Sequence, residues 1–210
     1  MKGFPNHYSC RCLHDISESL LLELSQFVVT TNYARHCGKL PPSMEEEIQE
    51  VYRDELVYAP HSRFYIVENT ETQNIVGCIR IIRWDKQCVL PIEKEFNVNV
   101  HNFVNAQSDT VEQVFHMGRF AIAKETERIG MILFKTLLYN AFCSVGVSKN
   151  AIVFAELDEK LFRIFRLLNI SSISLGQSKI ELGSETIPAY IKAEGFKPFI
   201  EKHKNLTSHV

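Results

Sequence analysis

The stretch VFHMGRFAI, residues 114–122, decides how this chain is read. Its apolar residues describe a strand entering a core, yet it carries His116, Gly118 and Arg119. A guanidinium is costly to bury without a partner. The strand therefore raises the question of what Arg119 holds.

Upstream, SRFYIVE (62–68) reads as a strand, NTETQN as a turn and IVGCIRIIRW (75–84) as a second strand, which together make a hairpin. VLPIEKEF (89–96) and the polar stretch to about Thr110 form an irregular excursion before the strand at 113–122. Downstream, RIGMILFKTLLYNAFC (128–143) has helical spacing, with Leu133, Leu137, Leu138 and Phe142 toward the core. NAIVFAEL (150–157) reads as a buried strand, and Asp158 as the cap of a helix, EKLFRIFRLLN. SISLGQSKIELGSETIPAYIKA reads as strand, loop, strand. Toward the start, ISESLLLELSQFVV (16–29) is an amphipathic helix and Pro41–Pro42 a break. Ser43 with Glu46 resembles a capping box for MEEEIQEVYRDE, an acidic helix whose charge reads as a solvated face. Antiparallel strands thus give way to a β-α-β-α-β half. The order predicts an α+β fold, one mixed and mostly antiparallel sheet with helices on both faces, in a single domain over 1–210 with its core at about 16–195.

The composition suits a globular core, with 45% hydrophobic and 23% charged residues. A net charge of −2 gives no field that points to nucleic acid or to an anionic membrane. No apolar run approaches the roughly 20 residues that span a bilayer. MKGFPNHYSCRC lacks the apolar segment of a signal peptide, so a cytoplasmic location is expected. The C-x-C of Cys10 and Cys12 has no matching second pair, so no metal site is expected, and Cys78 and Cys143 read as small buried hydrophobes.

Several local patterns resemble the GNAT acyltransferase superfamily, and within it the acyl-homoserine-lactone synthases and long-chain N-acyl amino acid synthases. IVGCIRII matches a strand reading G-x-x-R-L, LPIEKEF the short segment after it, and HMGRFAI a strand reading E-x-S/G-R-F-x-V. The tail from Phe154 to Lys192 keeps the family order, and Asp54-Glu55 followed by Pro60-His-Ser is similar to its acidic segment.

That resemblance implies a chemistry. Strands 113–122 and 150–156 would splay apart, and the pantetheine arm of a thioester donor would pair with the freed backbone. N–H groups near Phe120, Ala121 and Ile122 would stabilise the oxyanion. Arg119 and Arg80 would bind acidic groups, with Asp54, Glu55 or the acceptor's carboxylate as partners. Arg83 faces the other way and reads as surface. His116 stands where the lactone synthases carry a glutamate, and an imidazole can serve as the base. Arg128 and Gly130, in KETERIGMIL, would lie beside the donor. That stretch has one glycine where acetyl-CoA enzymes have a phosphate-cradling loop, and Phe165 stands where they place a tyrosine. Both departures favour a donor on acyl carrier protein, for which Lys160, Arg163 and Arg166 would form a basic dock. Ile122, Phe134, Phe154 and Phe162 are candidates to line the acyl pocket. The expected activity is transfer of a fatty acyl group from an acyl-phosphopantetheine thioester to the amine of an amino-acid-like acceptor. The alternatives are an acetyl-CoA-dependent N-acetyltransferase and a non-catalytic module that binds a carrier protein or lipid.

Overall fold

The computed structural model describes residues 5–126 and 129–206. Strand β1 (Tyr8–Leu13) leads into helices α1 (Glu18–His36) and α2 (Met44–Tyr58). Strands β2 (Ser62–Asn69) and β3 (Ile75–Arg83) form the expected hairpin. Two short helices, α3 (Pro91–Phe96) and α4 (Val100–Asn105), fill the excursion expected to be irregular. Then come β4 (Gln113–Ile122), α5 (Gly130–Val145), β5 (Ala151–Asp158) and α6 (Glu159–Leu167). The tail holds β6 (Ile173–Ser174), β7 (Lys179–Glu181), β8 (Ser184–Lys192) and α7 (Ala193–Lys202).

Among the described residues the strands form one sheet in the order β1-β2-β3-β4-β5-β8-β6, with β7 also on β8. Only β4 and β5 pair in parallel. A parallel pair needs a long crossover, and α5 supplies it. Strand β1 and helix α7 add to the elements read from sequence; α7 buries Ala193, Phe196 and Phe199 at helical spacing although Pro198 lies within it. β1 gains its order by pairing with β2 over six residues.

Alternation along each strand sorts the core into two layers. Ile79, Ile81, Phe115, Met117, Val153 and Ala155 face α5 and α7, where Phe142 stacks on Phe196 at 4.5 Å. The opposite face packs Phe64, Ile66 and Cys78 against α1, and Ile82, Val114, Ile152 and Phe154 against α3 and α4. Helix α1 starts at Ser17, whose hydroxyl accepts from the Leu20 N–H. Asp158 caps α6 by accepting from the Leu161 N–H at 2.6 Å. Ser43 does not form the expected capping box: its hydroxyl donates to Glu47, one residue beyond Glu46.

Candidate active site

On the face opposite α5, three neighbouring strands place polar side chains side by side. Arg80 on β3, His116 on β4 and Glu156 on β5 share the phase of Cys78, Val114 and Phe154, so they form a row across the middle of the sheet. Arg80 and His116 are 1% and 0% exposed. Helix α2 lays Glu55 over this row, and it too is buried.

Arg80 Nη1 donates to Glu55 Oε1, and Arg119 Nε donates to the same oxygen at 2.7 Å. Arg80 Nη2 faces His116 Nδ1 at 3.3 Å, and His116 Nε2 lies 2.7 and 2.9 Å from the two oxygens of Glu156. The Arg80 guanidinium also sits 5.4 Å from the centre of the Tyr58 ring. Asp54 lies 4.0 Å from Arg119 Nη2 and accepts from Lys94 Nζ at 2.8 Å. Burial pushes the Glu55 carboxyl up, but Arg80 and Arg119 outweigh it and hold the carboxyl below its ordinary range. Glu156 follows the same logic: burial raises it, and His116 with the two arginines brings it lower.

Arg119 reaches Glu55 because β4 is bulged. Cys78 pairs with Ala121 and Arg80 with Gly118, so Arg119 and Phe120 together oppose Ile79. Arg119 has φ 53°, in the left-handed region that costs a non-glycine residue roughly 1–2 kcal/mol. The extra residue turns Arg119 toward α2, while Phe115 and Met117 before the bulge and Phe120 and Ile122 after it keep to the α5 side. Bulges concentrate beside functional sites, where they re-aim a side chain. Gly118 makes the row compact: a Cβ there would stand 2.9 Å from Arg80 Nη2 and 3.1 Å from His116 Cε1. Gly118→Ala is expected to cost roughly 1–3 kcal/mol through overpacking, read as a lower denaturant midpoint at unchanged slope.

Beyond the bulge the sheet opens. The β4–β5 pairing ends at Met117–Ala155, and a cleft starts there. One half has an apolar wall of Val28, Phe120, Phe134, Leu138, Leu161 and Phe165, and is also lined by the polar Asn32, His36, Asp158 and Thr186. The other is charged, lined by Asp54, Arg119, Glu156, Lys94, Lys179 and Glu181. It measures about 320 Å³, within the range of a small-molecule site. Gly118, Arg119, Glu156, Glu181 and Leu182 line both halves, so the two meet at the bulge.

The residues singled out from sequence divide as follows. Arg80, Arg119, Asp54, Glu55 and His116 converge in one network. Glu55 corrects the expectation of a purely solvated acidic helix, because it turns inward while Glu45 and Glu46 stay exposed. Phe120 lines the cleft, Ala121 is buried against the α1 layer, and the Ile122 carbonyl accepts from Arg35 Nη2 at 2.9 Å. Gly130 begins α5, and Arg128 lies outside the described residues. Of the expected acyl-pocket residues, Phe134 lines the apolar half. Phe154 packs on the far side of the sheet against Phe103, because its strand phase points it away from α5. Glu156 was hidden inside an apolar run. Its signal is the one charge between Phe154 and Leu157, at the position where the parallel pairing ends.

No helix among the described residues is long and apolar enough to cross a membrane. No family model matches the sequence, and no curated protein matches it. Solved structures do. The chain superposes on FeeM, an N-acyl amino acid synthase from uncultured soil microbes, with a TM-score of 0.60 at 14% identity over 89% of this chain and 91% of that one. A CoA-dependent acyl-homoserine lactone synthase, BjaI, solved with MTA, gives 0.60 at 14% identity over 97% and 91%. The AHL synthase LasI gives 0.56 at 10% identity over 92% and 94%. This chain therefore has the fold of the GNAT acyltransferases, in a form similar to that of the N-acyl amino acid and acyl-homoserine lactone synthases.

Proposed function

We propose that this chain is an N-acyltransferase that moves a fatty acyl group from an acyl-phosphopantetheine thioester to the amine of an amino acid or similar small acceptor. The observation that carries this reading is the cleft at the β4–β5 opening, with an aromatic and aliphatic wall in one half, a concentration of charged side chains in the other, and Arg119 where they join. An acyl chain suits the first half and a polar acceptor the second, so the thioester carbonyl and the amine meet at the bulge.

The site residues take their roles from that placement. Arg80 and Glu55, both buried, hold Arg119 in place. Arg119 has its Nε on Glu55, and its outer edge lines the cleft, where it offers N–H donors to an acceptor carboxylate. Asp54 holds Lys94 at the rim of the charged half. The backbone at Phe120, Ala121 and Ile122 borders the gap where the pantetheine arm enters and the oxyanion forms. Gly130, at the start of α5, and Arg128, two residues earlier in the sequence, are assigned to the donor's phosphate end.

We assign the donor to acyl carrier protein. Lys160, Arg163 and Arg166 are exposed on α6, the helix that follows β5 at the cleft, and Arg163 has an exposed partner in Glu159. Phe165 is fully buried and lines the apolar half, so that position brings no hydroxyl to a leaving thiol, which disfavours the acetyl-CoA reading. Donor choice is tested by thermal melting with long-chain acyl carrier protein, long-chain acyl-CoA and acetyl-CoA. Stabilisation by a ligand present at 100 times its Kd is about 2.7 kcal/mol, or roughly 5–11 °C for a chain of this size. The largest shift is expected from the long-chain carrier-protein donor. A shift from acetyl-CoA alone would support the acetyltransferase instead.

A further inference from the structure

Two carboxylates reach the junction between the halves of the cleft, Glu156 and Glu181. Lys179 holds Glu181 at 3.0 Å. Glu156 forms no ion pair with a described lysine or arginine; its hydrogen-bond partner is His116. His116 lies behind it, fully buried and outside the cleft lining. The ring's other nitrogen fixes its tautomer. Arg80 offers only donors, so Nδ1 accepts and the proton rests on Nε2, where it is donated to Glu156. Both lone-pair positions of the imidazole are thus taken, one by Arg80 and one by a proton. The group on this row that can receive a proton from the cleft is the Glu156 carboxylate, whose two oxygens share a single donor.

We infer that Glu156 is the catalytic base of the acyl transfer, and that His116 is the positioning residue that orients it. This rests on the N-acyltransferase reading above. The acceptor nitrogen attacks the thioester carbonyl carbon and the N–C bond forms. The proton then lost from nitrogen passes to Glu156. The C–S bond breaks with its electron pair on sulfur, and the thiolate takes up the proton that Glu156 releases, directly or through water. Groups facing Glu156 are His116 and Arg119 from β4, Arg80 from β3 and Glu181 from β7. Burial pushes the Glu156 carboxyl up, but the His116 N–H and the two arginines outweigh it and hold the carboxyl below its ordinary range. Such a base is weak, and it suits a proton released only once bond formation has made the nitrogen acidic.

Glu156→Gln keeps an oxygen for the His116 N–H and removes the base. Its kcat is expected to fall by roughly 10²–10⁴-fold with KM within a few-fold. What turnover remains should rise more steeply with pH than that of the wild type, because hydroxide must then take from the nitrogen the proton that Glu156 accepts. Glu156→Asp should restore part of kcat. His116→Asn should lower kcat yet keep the wild-type pH response, with melting curves confirming that each variant folds. The assignment is overturned if Glu156→Gln stays within about threefold of wild-type kcat, or if Glu181→Gln shows the steep pH response in its place. A wild-type protein silent with every donor and amine would remove the acyltransferase reading and the base role together. Loss of the base role alone would leave the wild type active.

Discussion

Glu55→Gln is expected to lower the unfolding free energy by about 3–5 kcal/mol, which for a chain of this size is a fall of roughly 6–20 °C in Tm. Arg80 is 1% exposed, and its carboxylate partner is Glu55. Removing that charge strands a guanidinium where water cannot reach it, leaving only a weak contact with His116 and the ring of Tyr58. Arg119 suffers less, since it is partly exposed and stands near Asp54. Replacing the pair together, as Glu55→Leu with Arg80→Met, should recover most of the stability, because a matched apolar pair avoids the desolvation of two ions. The double variant should still lose turnover, since Arg119 no longer has the carboxylate that aims it. Denaturant melts of the single and double variants with matched kinetics separate these effects; equal destabilisation in both variants would mean that packing dominates over charge.

The two buried carboxylates of the network set an acid limit. Glu55 and Glu156 both have folded pKa values held below the ordinary value of about 4.3. A carboxylate of that kind adds stability that is fully present above the unfolded value and is lost as pH falls through the folded one. The Tm of the wild type should therefore drop below about pH 4.5, and less so in Glu55→Gln.

Arg119→Ala is expected to reduce kcat/KM by roughly 30- to 5,000-fold, the range that follows from losing about 2–5 kcal/mol of charge-assisted binding to a partner in the cleft. Stability should change less than in Glu55→Gln, because Glu55 keeps Arg80 and the 20%-exposed Arg119 side chain is not wholly buried. Arg119→Lys should not rescue turnover: an ammonium lacks the planar fork that engages Glu55 through Nε while presenting other N–H groups to the cleft. Steady-state kinetics beside melting curves decide the matter, and near-wild-type kcat/KM in either variant would place the acceptor elsewhere.

Strands β2 to β5 and the long helices were legible from local pattern, and five of the network residues from the motifs that resemble the acyltransferase family. Glycine, arginine and alternating apolar residues in GCIRII and HMGRF mark strands with a charge that needs a partner. Glu156 was not legible. It lies 40 residues from His116, and nothing local says that β4 and β5 run in parallel with His116 opposite Phe154. The bulge at Arg119 left a trace that is clear once the fold is known: the apolar phase set by Phe115 and Met117 shifts by one at Phe120 and Ile122. Strand β1 is short and half-exposed, and its order comes from β2 rather than from its own residues. Asp54 and Glu55 occupy one acidic helix, and only the packing of α2 over the sheet turns the second of them inward.

The central claim is that an N–C bond forms in the cleft at Arg119 and Glu156. The most direct test offers the wild-type chain isotope-labelled long-chain acyl thioesters, on carrier protein and on CoA, with a panel of amino acids and simple amines. Free thiol and product mass are then read together. The account predicts thiol release that depends on the amine, with the label recovered in an amide of acceptor mass plus acyl group. Release without an amide, or no release from any donor while carrier protein still binds, would contradict it.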